Sequence, residues 1–178
     1  MNARRLAATA FATLLASATA QIATGQTATA QTATGPVHAD LKNGGGQTVG
    51  AVTLTEAPKG VLLRIETKGL TPGWHGVHIH EKGDCSKADF TSAGGHTHGA
   101  AVAVHGLRNP AANETGDLPN IHVGADGAGA AEMFTTFTTL NALKDADGSA
   151  IVVHANPDDY MTQPIGGAGP RVACAVIK

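Results

Sequence analysis

Residues Gly60–Thr67 read GVLLRIET, and their alternation decides the fold class. Val61, Leu63 and Ile65 fall on one face of an extended segment, while Leu62, Arg64 and Glu66 fall on the other, the pattern of a half-buried β-strand. Working outward, comparable runs occupy 37–41, 48–56, 76–81, 120–125, 129–138, 149–154 and 171–177, with Gly, Pro, Asn and Asp between them. No helical period persists for more than about a turn. Eight such strands predict an all-β, eight-stranded Greek-key sandwich or barrel of immunoglobulin-like architecture, one domain over 36–178. The segments 82–118 and 155–170 are too long for hairpin turns, and loops of that length in a compact domain usually carry function.

Composition narrows the function classes. The 178 residues are 42% hydrophobic but only 3% aromatic, with 12 Lys+Arg against 14 Asp+Glu. Few rings for base stacking and no basic excess argue against a nucleic-acid partner. No apolar run reaches the roughly 20 residues that cross a bilayer, so no membrane association is expected of the mature form. At the start, Arg4 and Arg5 precede the small apolar run from Leu6 to Ala20, which ends in Ala18-Thr19-Ala20, so 1–20 reads as a secretory signal peptide. An Ala-rich amphipathic helix would need a polar face, which this run lacks. The repeats QIATG, QTATA and QTATG at 21–35 have little to bury and read as a flexible tether, with a second cleavage pattern at Ala28-Thr29-Ala30. Without the leader, 10 Lys+Arg face 14 Asp+Glu, a net charge of −4 with His neutral.

Export places Cys85 and Cys174 where disulfides persist, and a bond between them is the expectation, two buried thiols the alternative. The histidines carry the chemistry. His78 and His80 are spaced i, i+2, so on a strand both project from the face opposite Val77 and Ile79. His154 follows the alternating run Ile151-Val152-Val153 and points outward in the same way. Three imidazoles from two strands suit copper or zinc. Seven of the nine histidines fall in 75–105 or at 154, beside the two long segments, which weakens the bland reading of solvated side chains.

HGVHIHEKGDC (His75 to Cys85), TSAGGH (Thr91 to His96), GDLPNI (Gly116 to Ile121), VVHANPDDY (Val152 to Tyr160) and GPRVACAVI (Gly169 to Ile177) follow one another in an order that resembles the bacterial exported copper/zinc superoxide dismutases. The resemblance implies that His78, His80, His96 and His154 bind copper and that His96 bridges to zinc. It implies that His105 and Asp117 bind zinc, that Asp158 hydrogen-bonds ligands of both metals, that Arg171 stands beside copper, and that Cys85 pairs with Cys174. His75 matches a structural histidine beneath the site. The cofactors implied are copper and zinc, the substrate is the superoxide anion, the products are dioxygen and hydrogen peroxide, and the compartment is the periplasm. His96 and Arg171 are then the catalytic pair: the imidazole takes up and donates a proton, and the guanidinium receives the anion.

One position departs from the family pattern. A histidine is usual three residues before the zinc aspartate, where this chain has Glu114. Either Glu114 supplies an oxygen, or His98 supplies the missing nitrogen, or both are solvated and the zinc site is weak or empty. Slight preference goes to His98, because a histidine is lost and gained in one loop. Two rival classes remain: an exported copper-binding or buffering module without turnover, and a zinc hydrolase. Arg171 and Asp158 argue against the first, and the clustering of imidazoles around one centre against the second. The sequence leaves monomer and homodimer open. It also leaves open which of Lys82, Lys87, Arg108 and Lys144 steers an anion. His38 and His122 read as surface residues.

Overall fold

The computed structural model describes residues 35–99 and 102–178. The expected signal peptide and most of the tether lie outside the described residues. Nine strands run in the order β1 (Val37–Asn43), β2 (Thr48–Ala57), β3 (Gly60–Thr67), β4 (Gly73–His75), β5 (Val77–His80), β6 (Ile121–Val123), β7 (Gly129–Thr135), β8 (Ser149–His154) and β9 (Arg171–Ile177), with a one-turn helix α1 (Leu140–Leu143) before β8. Seven strands form one antiparallel sheet in the order β5-β8-β9-β1-β2-β3-β7, and β4 pairs with β6. Chain neighbours β1, β2 and β3 pair in sequence, whereas β9 returns to β1 and β7 to β3, so the sheet curls with its two long connections outside it.

The alternation in β3 is realised: Val61, Leu63 and Ile65 are buried while Arg64 and Glu66 are exposed. Antiparallel pairing sets Ile65 opposite Val52 and Leu63 opposite Leu54. The core they form with Leu41, Ile79, Ile121, Ile151, Val153 and Ile177 is continuous. Burying one such side chain stabilises by about 1.5–3 kcal/mol, and truncating Ile65 to Ala costs about 2–5 kcal/mol once the cavity is counted.

Among the described residues the predicted eight strands become nine. β4 is three residues long, follows Pro72 and exposes Trp74 over His122, so it offers no alternation to read. Gly76 separates β4 from β5 because its N–H donates to Asn156 O at 2.8 Å and its carbonyl accepts from His154 N at 2.8 Å, turning the chain from one sheet to the other. The run at 129–138 ends as a strand at Thr135, because Thr139 caps α1 by accepting from Ala142 N at 3.2 Å.

β8 is buried over its whole length. Ile151 and Val153 enter the main core, whereas Ala150 and Val152 pack on the other side with Phe90, Ala93 and Cys174, and with Cys85 against them. The segment between β5 and β6 therefore covers the outer face of β8 and β9. The Cys85–Cys174 disulfide ties it there across 89 residues, with Cα atoms 6.0 Å apart. A cross-link closing a loop of that size stabilises by about 4–5 kcal/mol in the loop-entropy picture.

Candidate metal centre

That cover changes the standing of the histidines. His78 and His80 share the β5 face away from the core, as their spacing requires, but both are fully buried beneath the long segment and not on the outside of the sandwich. His154 closes β8 opposite Arg171, after a register shift at Val153/His154. An isolated bridge pairs His96 with His80, and another pairs Asp117 with His78, so backbone pairing lays the long segment against β5.

Each of four rings has one nitrogen committed. His78 Nε2 faces Asp158 Oδ2 at 2.9 Å and His80 Nδ1 donates to Gly94 O at 3.0 Å. His154 Nδ1 donates to Gly169 O at 2.9 Å, and His96 Nδ1 faces Glu114 Oε2 at 2.6 Å. The other nitrogens, His78 Nδ1, His80 Nε2, His96 Nε2 and His154 Nε2, are buried without a hydrogen-bond partner. Ligand atoms of these four residues lie within 4.8 Å of one another. A buried unpartnered nitrogen costs roughly 1–3 kcal/mol. A shared electrophile would satisfy all four at once, and imidazole nitrogens fit a copper or zinc ion.

Electrostatics prepare these rings to be ligands. Burial first, and the neighbouring His96 next, lower His80 to about 2. Burial and His78 lower His154 to about 3, and burial also lowers His78 despite Asp158. Neutral imidazoles with free lone pairs result.

The adjoining group is built differently. His78, His96, His105 and Asp117 also bring ligand atoms within 4.8 Å. His78 Nε2 is engaged by Asp158, however, and Glu114 turns a carboxylate oxygen to the same two rings as Asp117. Glu114 Oε2 lies 3.1 Å and Asp117 Oδ1 2.7 Å from His105 Nδ1, and Asp117 Oδ1 lies 3.6 Å from His96 Nδ1. Two imidazole nitrogens and two carboxylate oxygens thus converge. Burial alone would lower His105, but Asp117, Asp158 and Glu114 raise it to about 11; the two carboxylates raise His96 likewise. Burial would raise Asp117, Glu114 and Asp158, yet hydrogen bonds with the histidines hold all three below the usual carboxylate range. In the metal-free protein, protons stand where a cation fits.

Asp158 joins the two centres: Oδ2 faces His78, and Oδ1 faces His105 Nε2 at 3.1 Å. Asn120 holds its backbone in place, donating to Asp158 O and accepting from Asp158 N, both at 2.9 Å. Gly166, at φ +62°, packs against Asp158, and a Cβ there would overlap the carboxylate. Gln163 treats His105 as Asn120 treats Asp158, accepting from His105 N at 2.9 Å and donating to its carbonyl at 2.8 Å. These two amides, and the carbonyls of Gly94 and Gly169, escaped the sequence reading. Asn120 and Gln163 carry no ligand chemistry of their own, and a backbone carbonyl leaves no signature in a sequence.

Arg171 is half-buried, its Nη1 donating to Phe90 O at 2.5 Å and its Nη2 to Gly94 O at 2.6 Å. With Asp89, Thr91, His154, Ile165, Gly169 and Pro170 it lines a cavity of about 280 Å³ that reaches the first centre. None of Lys82, Lys87, Arg108 or Lys144 lines it, and Asp89 offsets the one guanidinium. His75 lies buried beneath, with Nδ1 2.7 Å from His154 O and Nε2 2.8 Å from Thr71 O. His98 is exposed, and its backbone bridges to Glu114. His38, beside Thr53, and His122, against Trp74, are also exposed.

Comparison with known proteins agrees with this geometry. The family profile described as copper/zinc superoxide dismutase matches residues 48–177. A Cu-Zn superoxide dismutase of Caulobacter vibrioides is 64% identical over 146 residues, covering 79% of this chain and 84% of that protein. The crystal structure of a superoxide dismutase-like protein from Bacillus subtilis superposes with a TM-score of 0.73 at 36% identity, over 79% of this chain and 97% of that one. The Cu/Zn superoxide dismutase from Brucella abortus superposes with a TM-score of 0.67 at 29% identity, over 81% of this chain and all of that one. The curled antiparallel sheet, the paired histidine clusters and these likenesses together make the chain a member of the copper/zinc superoxide dismutase family.

Proposed function

We propose that the chain is an exported superoxide dismutase that holds copper on His78, His80, His96 and His154 and zinc on His96, His105, Asp117 and Glu114. One observation carries the reading: the only free nitrogens of four buried imidazoles converge beside Arg171. Of the two candidates for the last zinc position, Glu114 is favoured over His98, since its carboxylate already faces both His96 and His105.

Copper, when bound, would supply the one-electron chemistry that turns two superoxide anions and two protons into dioxygen and hydrogen peroxide, and zinc on the second group would supply a fixed positive charge. The residues do the rest. His96 faces the first centre with Nε2 and the second with Nδ1, so Nε2 would hold a proton for transfer to the anion whenever it is not serving as a ligand, while Nδ1 keeps the ring in place. A guanidinium has five N–H donors, of which Arg171 commits two to Phe90 O and Gly94 O. The rest remain to orient a small anion at the cavity. Asp158 accepts from His78 and His105 and so fixes which nitrogen each ring turns to its metal. Ile165 and Pro170 give the cavity an apolar side.

Residues 1–20 serve as a signal peptide, 21–35 as a tether and 36–178 as the enzyme, which works in the periplasm. The disulfide supports an oxidising compartment. The test is superoxide consumption by copper-loaded protein beside a metal-free control. Turnover only in the copper-loaded sample is expected. Copper binding without turnover would instead make this chain a copper-buffering module, and turnover independent of copper would end the reading.

A further inference from the structure

The second centre has a cavity of its own. Gly106, Leu107, Asn109, Ala112, Asn113, Glu114, Thr115, Asp117 and Phe137 enclose about 270 Å³, and none of them lines the cavity at Arg171. Both carboxylates of the centre stand in its wall. The donor set is two imidazoles and two carboxylates, and the second oxygen of Asp117 accepts from Gly106 N at 2.7 Å. Nitrogen-rich tetrahedral sites suit zinc; carboxylate and water oxygens with room for more than four ligands suit manganese(II) and its neighbours.

The geometry points to Glu114 as the residue that sets which divalent ion the second centre keeps: with its oxygen facing His96 at 2.6 Å and His105 at 3.1 Å, it puts a carboxylate in place of an imidazole and relaxes the preference for zinc toward oxygen-seeking ions. The inference rests on the reading of the second centre given above. A carboxylate can also bind an ion through both oxygens and so add a fifth ligand, which a single imidazole nitrogen cannot. Glu114 is held for this role by the bridge of its backbone to His98 and by Asn113, whose Oδ1 accepts from Val104 N at 2.8 Å at the cavity rim.

The experiment equilibrates copper-loaded full-length protein with buffered zinc and manganese(II) and counts bound metals per chain. Replacing the carboxylate by an imidazole, Glu114→His, should raise the preference for zinc over manganese at least about tenfold, with Glu114→Gln between the two. An equal preference in wild type and Glu114→His overturns the proposal. Wild-type protein provides a check independent of variant folding. Cobalt(II) at its second centre should show the weak visible bands of five or six ligands, and an intense four-coordinate spectrum overturns the proposal. Copper content and superoxide consumption of the same samples separate the two levels. If wild type shows neither, the dismutase reading fails and takes this one with it; if it shows both and the metal preference is unmoved by Glu114→His, only this inference fails.

Discussion

Arg171 and His80 share one acceptor: the Gly94 carbonyl oxygen takes Arg171 Nη2–H at 2.6 Å and His80 Nδ1–H at 3.0 Å. The residue proposed to receive the anion and one proposed to hold copper are thus positioned by the same atom. Gly94 presents it from φ +76°, and a Cβ there would overlap the Glu81 side chain.

Arg171→Gln should lower kcat/KM for superoxide by roughly ten- to a hundredfold and flatten its dependence on salt, since it removes both the charge and the forked donors. Arg171→Lys should fall between, because one ammonium cannot span Phe90 O and Gly94 O. Pulse-generated superoxide decay at varied ionic strength measures both; identical salt slopes in wild type and Arg171→Gln would contradict the role.

Asp89 lines the same cavity and caps the turn at Thr91, accepting from Thr91 N at 3.1 Å and from its hydroxyl at 2.8 Å. Asp89→Asn keeps an acceptor and removes a negative charge from the anion's path. The expected outcome is a rise in kcat/KM of roughly two- to fivefold at low salt, vanishing at high salt as screening takes over.

Asp158→Asn leaves one amide unable to accept from both His78 and His105. One ring loses its orientation. Affinity for the second metal should drop about 10- to 100-fold, read by chelator competition, while circular dichroism shows the sheet intact.

The metal-free protein should be most stable near pH 6.5, with losses on both sides. His78, His80 and His154 are depressed by burial, His80 to about 2 and His154 to about 3. Below the ordinary 6.5 the unfolded chain binds protons that the folded one refuses, so stability falls as pH drops. His105, raised to about 11 by its carboxylates, and His96 do the opposite: their contribution is complete below 6.5 and is lost as pH climbs toward 11. Asp117 and Asp158, held low, add a further loss only below the ordinary 3.8. Urea midpoints across pH 4 to 10 test this, and loading copper and zinc should flatten the profile because metals replace the protons. A metal-free profile already flat from pH 5 to 9 would refute it.

The alternation of GVLLRIET and of its neighbouring runs was enough to place the strands, because a period of two with one apolar face has few other solutions in water. The same logic put His78 and His80 on one face and His154 beside them, and the ordered motifs named the partners His96, His105, Asp117, Asp158 and Arg171. It did not show β4, too short to alternate, or the choice between His98 and Glu114, which turns on whose side chain the loop folds inward.

Periodicity along the chain thus determined the strands, their buried faces and the ring types available to a metal. Tertiary structure alone decided that these rings are buried, that their free nitrogens meet, and that the Glu114 carboxylate faces His96 and His105 while His98 is exposed. The reason is physical: alternation reports each residue's side of its own strand. Burial and convergence depend on where a long segment between β5 and β6 comes to rest. That position is set by a disulfide, backbone bridges and amide clamps between residues far apart in the chain.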